Sequence, residues 1–175
     1  MTDRKTPPVS TGGGDDGTTT LLGAGRMPKH DARIVALGDV DEASSFLGLT
    51  RAEAEGDIAE LILGLQRLLY RVMGDVAMTN EANVVGKSDI EYLDAALEEW
   101  RGRTEIPDQF VVPGESRPGA LLDVARSIVR RAERSLVAAG YAEEHPDALK
   151  AVNRLSDLLF VVARNADGKT SFSKG

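Results

Sequence analysis

A chain of 175 residues with 42% hydrophobic and 28% charged residues can bury one sizeable core, and its net charge of −7 lacks the basic footprint of a nucleic-acid surface. The acidity also argues against an anionic membrane surface, and no run of about eighteen apolar residues is present to span a bilayer. With no cysteine, the chain has no disulfide, thiolate nucleophile, Cys-ligated zinc or iron–sulfur cluster; with only His30 and His145, a multi-histidine metal site within one chain is excluded too.

The N-terminal residues lack the apolar core of a signal peptide, so the cytoplasm is the expected compartment. Residues 1–10 are polar, contain Pro7-Pro8 and are expected to be a disordered lead-in. Residues 11–33 are rich in glycine, threonine and aspartate and predict a long irregular segment, which in a compact domain is functional or disordered. Gly12, Gly14 and Gly17 match the spacing of the dinucleotide fingerprint. No strand precedes them and no helix opens directly after, so that reading fails. A Walker A loop fails as well, because no Gly-Lys-Ser/Thr follows. Two readings remain: backbone N–H groups and threonine hydroxyls converging on an anion, or a flexible glycine-rich linker. Asp15 and Asp16 suit a metal-bridged or hydroxyl-binding role better than direct phosphate contact, while Arg26, Lys29 and Arg33 can supply positive charge. Any metal is expected to be a hard ion held by oxygens and phosphates, with no dedicated protein site.

Helical periodicity then takes over. The first helix is predicted over about 35–54, with Val40, Ala43, Phe46 and Leu47 apolar. The second, about 57–78, has a wide stripe from Ile58 to Val76 that marks it as central, and Gly64 and Gly74 inside it predict close helix packing. Residues 79–87 read as a connection, and Ser88 as the N-cap of a third helix reaching about Arg101. A second irregular stretch, 102–119, holds the apolar run Phe110-Val111-Val112.

A fourth helix follows over about 118–139, ending at Gly140. Its apolar face is Leu121, Ala125, Ile128, Ala132 and Leu136. Beside that face run Arg126, Arg130 and the Glu133/Arg134 pair. This row is either a solvated polar face or a cationic row aimed at a polyphosphate or carboxylate. The last helix starts at Pro146 and reaches about Ala166; it places Asn153 and Asp157 on one face, as an i,i+4 surface pair or as an amide facing a ligand. Residues 167–175 read as a flexible tail. The prediction is all-α: five helices, no convincing sheet, and short connections that give an up-down bundle, with 11–166 as a single helical-bundle domain and 11–33 as its N-terminal loop.

Four blocks in this order resemble the PduO-type ATP:cob(I)alamin adenosyltransferases, a family of corrinoid adenosyltransferases. They are TGGGDDGTT from Thr11; RIVALGDVDEASSFLG from Arg33; F-x-x-P-G from Phe110 followed by A-R-x-x-x-R-R-A-E-R ending at Arg134; and NRLSDLLFVVAR from Asn153 to Arg164. The resemblance implies a homotrimer of five-helix bundles with the site at the seam between subunits, and ATP, Mg²⁺ and a cobalamin as ligands. It assigns Thr11, Gly14, Asp15, Gly17 and Thr18 to the loop around ATP, Lys29 to the phosphates, Arg130 to the triphosphate and Asn153 to the nucleotide. Glu133, one turn from Arg130, joins them. Arg126 matches an arginine paired with an aspartate across the seam, Asp41 matches that aspartate, and Phe110 matches the aromatic wall of the lower corrin face. The implied reaction is attack of cobalt(I) on C5′ of ATP with loss of triphosphate, needing positioning and leaving-group stabilisation but no covalent nucleophile. A reductase and an adenosylcobalamin-dependent mutase are the implied partners.

Departures from the pattern are Gly13, Asp16 where one subtype has lysine, Asp123 where histidine is frequent, no short strand before Thr11, and a short tail after Ala166. Two other readings share these features: an ATP- and corrinoid-binding carrier or chaperone of adenosylcobalamin without turnover, and a helical-bundle interaction protein with a disordered glycine-rich loop.

Overall fold

The computed structural model describes residues 10–22, 25–78 and 84–173. Five helices of 16 to 22 residues carry the fold: α1 (Ala32–Ala52), α2 (Gly56–Ala77), α3 (Lys87–Gly102), α4 (Arg117–Ala138) and α6 (Pro146–Asp167). A one-turn helix, α5 (Tyr141–Glu144), lies between the last two. The closest packing is α4 on α6, α1 on α2, α1 on α4, and α3 on α6. The layer order is therefore α2, α1, α4, α6, α3, and α4 and α6 are central. The wide stripe of α2 predicted that place for α2 instead; it is fully buried at Leu65, Leu68, Leu69 and Val72, but α2 stands at one end of the order and packs closely on α1, whereas α1, α4 and α6 each pack closely on two long helices.

Local chemistry sets the helix ends. Asp31 caps α1 by accepting from the Arg33 N–H at 2.9 Å. Ser116 caps α4 by accepting from the Gly119 N–H at 3.0 Å, ahead of Pro118 in the first turn. Gly140 and Gly168 stop α4 and α6 with φ of 90° and 64°, a left-handed region that costs a glycine little. Helix α3 begins two residues earlier than Ser88 as its cap implies. Its cap is Gly86, whose N–H donates to the Asp89 carboxylate at 3.1 Å, while Arg71 of α2 pairs with the same carboxylate. The expected close approach is real at Gly64, which the Tyr92 hydroxyl covers. At Gly74 nothing would come nearer than 3.7 Å to an added Cβ.

The fold is mostly helical rather than all-α. β1 (Thr18–Leu21) and β2 (Gly25–Pro28) form an antiparallel hairpin ahead of α1. β3 (Val111–Val112) pairs antiparallel with β4 (Ser171–Phe172), and the Ser173 N–H donates to the Phe110 carbonyl at 2.8 Å. Residues 171–173, expected within a flexible tail, thus return to the segment that carries Phe110. The expected lead-in, apart from Ser10, and residues 79–83 of the α2–α3 connection lie outside the described residues.

The core is aliphatic, with Leu47, Leu122, Leu136, Leu155, Leu158 and Leu159 fully buried. Burying one such side chain is worth about 1.5–3 kcal/mol. Tyr141 is fully buried as well: its hydroxyl donates to the Val76 carbonyl at 3.0 Å and accepts from Arg33 Nε at 3.2 Å. Burial raises the pKa of this phenol above its ordinary value. Among the described residues, no helix is long and apolar enough to cross a membrane.

Candidate active site

The N-terminal loop is built from turns. Gly12 and Gly17 sit at φ of 66° and 80°, and the Asp15 and Gly17 N–H groups donate to the carbonyls of Gly12 and Gly14, each at 3.2 Å. Asp16 ties the loop to itself: its Oδ1 accepts from the Thr18 N–H at 2.9 Å and from the Thr18 hydroxyl at 2.7 Å. Arg26 of β2 reaches across to Asp16 at 2.9 Å and to the Gly13 carbonyl at 2.6 Å. The Thr18 hydrogen bonds, then Arg26, hold the Asp16 carboxyl below the usual carboxylate range. Asp16, left open as a departure from the lysine subtype, therefore fastens a turn. Thr11 and Asp15 are exposed.

Lys29 closes the loop from the far side. Its N–H donates to the Gly17 carbonyl at 2.9 Å and its Nζ to the Gly14 carbonyl at 2.8 Å. A Cβ at position 14 would lie 3.0 Å from that Nζ, so glycine keeps the ammonium close to the backbone. No carboxylate pairs with Lys29 among the described residues, so its charge is not neutralised within the chain.

The second cluster lies on the α4–α6 face. Asn153 Nδ2 donates to Glu133 Oε1 at 2.8 Å, fixing the side chain of each. These two residues and Arg130 line a cavity of about 350 Å³ together with Arg134 and Val137. Arg130 also borders a second cavity of about 330 Å³, with Arg126, Asp157 and Phe160. Arg130 is exposed, and its guanidinium has no hydrogen-bond or ion-pair partner among the described residues. Arg131, one residue on, is spent: it lies 3.3 Å from Asp39 and pairs with Glu42 of α1, and the Glu42 hydrogen bond raises its pKa. Arg134 donates to the Arg130 carbonyl at 2.9 Å.

Two expected partners do not meet within the chain. Asp41 is exposed on α1, while Arg126 Nε lies 3.4 Å from Asp123 of its own helix. Phe110 is 86% exposed, a large apolar side chain left uncovered where β3 begins. The loop cluster and the α4–α6 cluster share no hydrogen bond or ion pair among the described residues. Among those residues, no three His, Cys, Asp or Glu side chains gather into a metal-binding group. The sequence does not single out Asp167; it names Arg26 only as a source of charge, Asp123 only as a departure from the family pattern, and Arg164 only as the end of the fourth block. A signal was there for Arg164, a lone charge closing the apolar run Leu158–Ala163.

The sequence pattern of the cobalamin adenosyltransferase family matches residues 9–166, most of the chain. This chain belongs to that family. It is 38% identical over 159 residues to a cobalamin adenosyltransferase of Cupriavidus metallidurans, covering 89% of this chain and 86% of the relative. It is 34% identical over 165 residues to the corrinoid adenosyltransferase of Bacillus subtilis, covering 90% and 85%. Its fold is similar to that of a phenylalanine-to-alanine variant of the PduO-type ATP:corrinoid adenosyltransferase of Lactobacillus reuteri, complexed with cobalamin and ATP. The TM-score is 0.86 at 27% identity, over 96% of this chain and all of the other.

Proposed function

We infer that the chain is an ATP:corrinoid adenosyltransferase, which moves the 5′-deoxyadenosyl group of ATP to the cobalt of a reduced corrinoid and releases triphosphate. The cobalt(I) electron pair forms the Co–C5′ bond as the C5′–O bond breaks, and the triphosphate leaves with the electron pair of that C5′–O bond. One observation carries the reading: Arg130 is a cation whose guanidinium has no partner among the described residues, set between two cavities beside the Glu133–Asn153 pair. A leaving triphosphate gathers negative charge, and a positioned guanidinium stabilises it more in the transition state than in the ground state.

The other residues take roles that fit their surroundings. Thr11, Gly14, Asp15, Gly17 and Thr18 form the loop around ATP, and Lys29 turns its Nζ from the Gly14 carbonyl to the phosphates. Mg²⁺, when bound, neutralises part of the triphosphate charge; phosphate oxygens would hold it, with Asp15 the one loop carboxylate not engaged in the chain's own turn. Asn153, oriented by Glu133, contacts the nucleotide. Phe110 covers the lower face of cobalt and denies it a water or base ligand, which makes cobalt(II) easier to reduce.

The assembly is a homotrimer, with Arg126 paired to Asp41 of the partner subunit. What supports this pairing is that Asp41 has no partner among the described residues, whereas its neighbours Asp39 and Glu42 are both engaged by Arg131. Residues 11–166 act as one domain of five long helices. The reaction draws on a reductase for cobalt and supplies an adenosylcobalamin-dependent enzyme such as a mutase, all in the cytoplasm.

The test is to add ATP and Mg²⁺ to the protein with chemically reduced cobalamin and follow the absorption change to adenosylcobalamin. Turnover is expected. Tight binding of adenosylcobalamin by folded protein, without its formation, would show the carrier or chaperone instead.

A further inference from the structure

A buried ionic chain runs beneath the α4 arginines. The side chains of Asp123, Arg164 and Asp167 are only 5%, 2% and 1% exposed. Arg164 reaches from α6 to the Asp123 carboxylate on α4, and the same terminal nitrogen lies 3.1 Å from Asp167. Asp167 in turn accepts from the Ser116 hydroxyl at 2.8 Å. At the other end Arg126, 28% exposed, brings its Nε to 3.4 Å from Asp123.

The charges show what Arg126 does there. Two buried carboxylates face one buried guanidinium, so a second positive charge is needed for balance, and Arg126 provides it. Stability alone gives little reason for such a network. A buried ion pair seldom outperforms apolar packing, and here the buried Arg164 Nε has no acceptor.

What the network does provide is a fixed position. Asp123 holds Arg126 by its Nε, and the Phe160 ring lies 6.0 Å from the guanidinium carbon, with Arg164 at 5.4 Å from the same ring. The terminal nitrogens of Arg126 have no partner among the described residues. Arg126 also lines both the cavity of about 330 Å³ shared with Arg130 and one of about 450 Å³ on the other side of α4; no other residue lines both.

We propose that Asp123, seated by Arg164, is a positioning residue for the adenosyl transfer: it holds Arg126 between the two cavities with its terminal nitrogens available to Asp41 of the partner subunit, the pair that shapes the corrinoid pocket. This rests on the proposed seam pair, in which Arg126 and Asp41 of the partner subunit together shape the corrinoid pocket. An arginine on an open helix face samples many rotamers, and a corrinoid that had to order it would bind more weakly.

The test uses the full chain, with steady-state kinetics in ATP and in reduced cobalamin. Asp123→Asn keeps the shape but removes the charge that seats Arg126. We expect kcat/KM for cobalamin to fall about tenfold while KM for ATP stays within about twofold. Arg126→Ala is measured in both backgrounds, and Asp123→Asn is expected to add little once Arg126 is gone. If Arg126→Ala itself leaves the corrinoid kinetics unchanged, the assignment of Arg126 fails. If Arg126→Ala is impaired but Asp123→Asn is not, or if the two losses simply add, the proposal for Asp123 is overturned. Should Asp123→Asn not fold, Arg164→Lys takes its place, since one ammonium cannot hold both carboxylates as the guanidinium does. The same corrinoid-selective loss is expected, and unchanged corrinoid kinetics would overturn the proposal.

Discussion

Arg130 and Arg131 are neighbours on one helix, with the same chemistry and opposite situations. Arg131 is tied to Asp39 and Glu42 of α1 and joins two helices, whereas Arg130 faces two cavities unpaired. Helix α1 makes the difference, because its carboxylates lie under one arginine and not the other. The same holds for the loop acids. Asp16 is drawn inward by Thr18 and Arg26, while Asp15 stays outside. The pH dependence of the loop follows from this. The folded state holds the Asp16 carboxyl below its ordinary value of 3.8, so its contribution is present above that value and is lost as pH falls through the depressed one. The Thr18 amide resonance should stay unchanged from pH 7 to about pH 5 and move only below about pH 4. A shift centred near neutrality would contradict the Asp16–Thr18 bond.

At the scale of elements, α4 and α6 are joined at one end by a contact that only glycine permits. The Asp167 carboxylate rests where a Cβ at Gly119 would stand, and Ser116 Oγ lies 2.9 Å from the same point. Gly119→Ala should therefore push apart the start of α4 and the end of α6, at a cost of about 1–3 kcal/mol in denaturant unfolding. An unchanged midpoint would mean that the two ends are not in contact.

The long helices were legible in the sequence because each repeats its apolar residues over several turns, as Leu121 to Leu136 do in α4. The strands β3 and β4 were not. Two residues cannot display alternation, and Val111 meets Phe172 only because the chain returns after α4, α5 and α6. The start of α3 was misplaced because Ser88 looks like a cap, whereas a carboxylate inside the helix, Asp89, reaches back to Gly86. Much of the candidate site was legible for a related reason: Thr11–Thr18, Arg126–Glu133 and Asn153 lie in contiguous blocks. The network from Arg164 to Asp123 is long-range, and the sequence offers no spacing that predicts it.

At the scale of the whole molecule, the single chain leaves Phe110 bare and Asp41 exposed and, among the described residues, unpaired; both features fit an assembly that covers them. On the proposed trimer, whose seam would pair Asp41 with Arg126, Asp41→Arg alone should set like charges against each other and weaken assembly. The double exchange Asp41→Arg with Arg126→Asp should recover assembly at least in part, read by sedimentation. A trimer indifferent to Asp41→Arg would remove that pair from the seam.

Arg130 is proposed to stabilise the triphosphate as it leaves C5′. The direct measurement follows adenosylcobalamin and triphosphate together, in the protein and in Arg130→Ala, with reduced cobalamin and saturating ATP. The expected result is one triphosphate for each adenosylcobalamin, with the rate in Arg130→Ala lower by about a hundredfold and its melting temperature little changed. Equal rates in the two proteins, or adenosylcobalamin formed without triphosphate, would contradict the account.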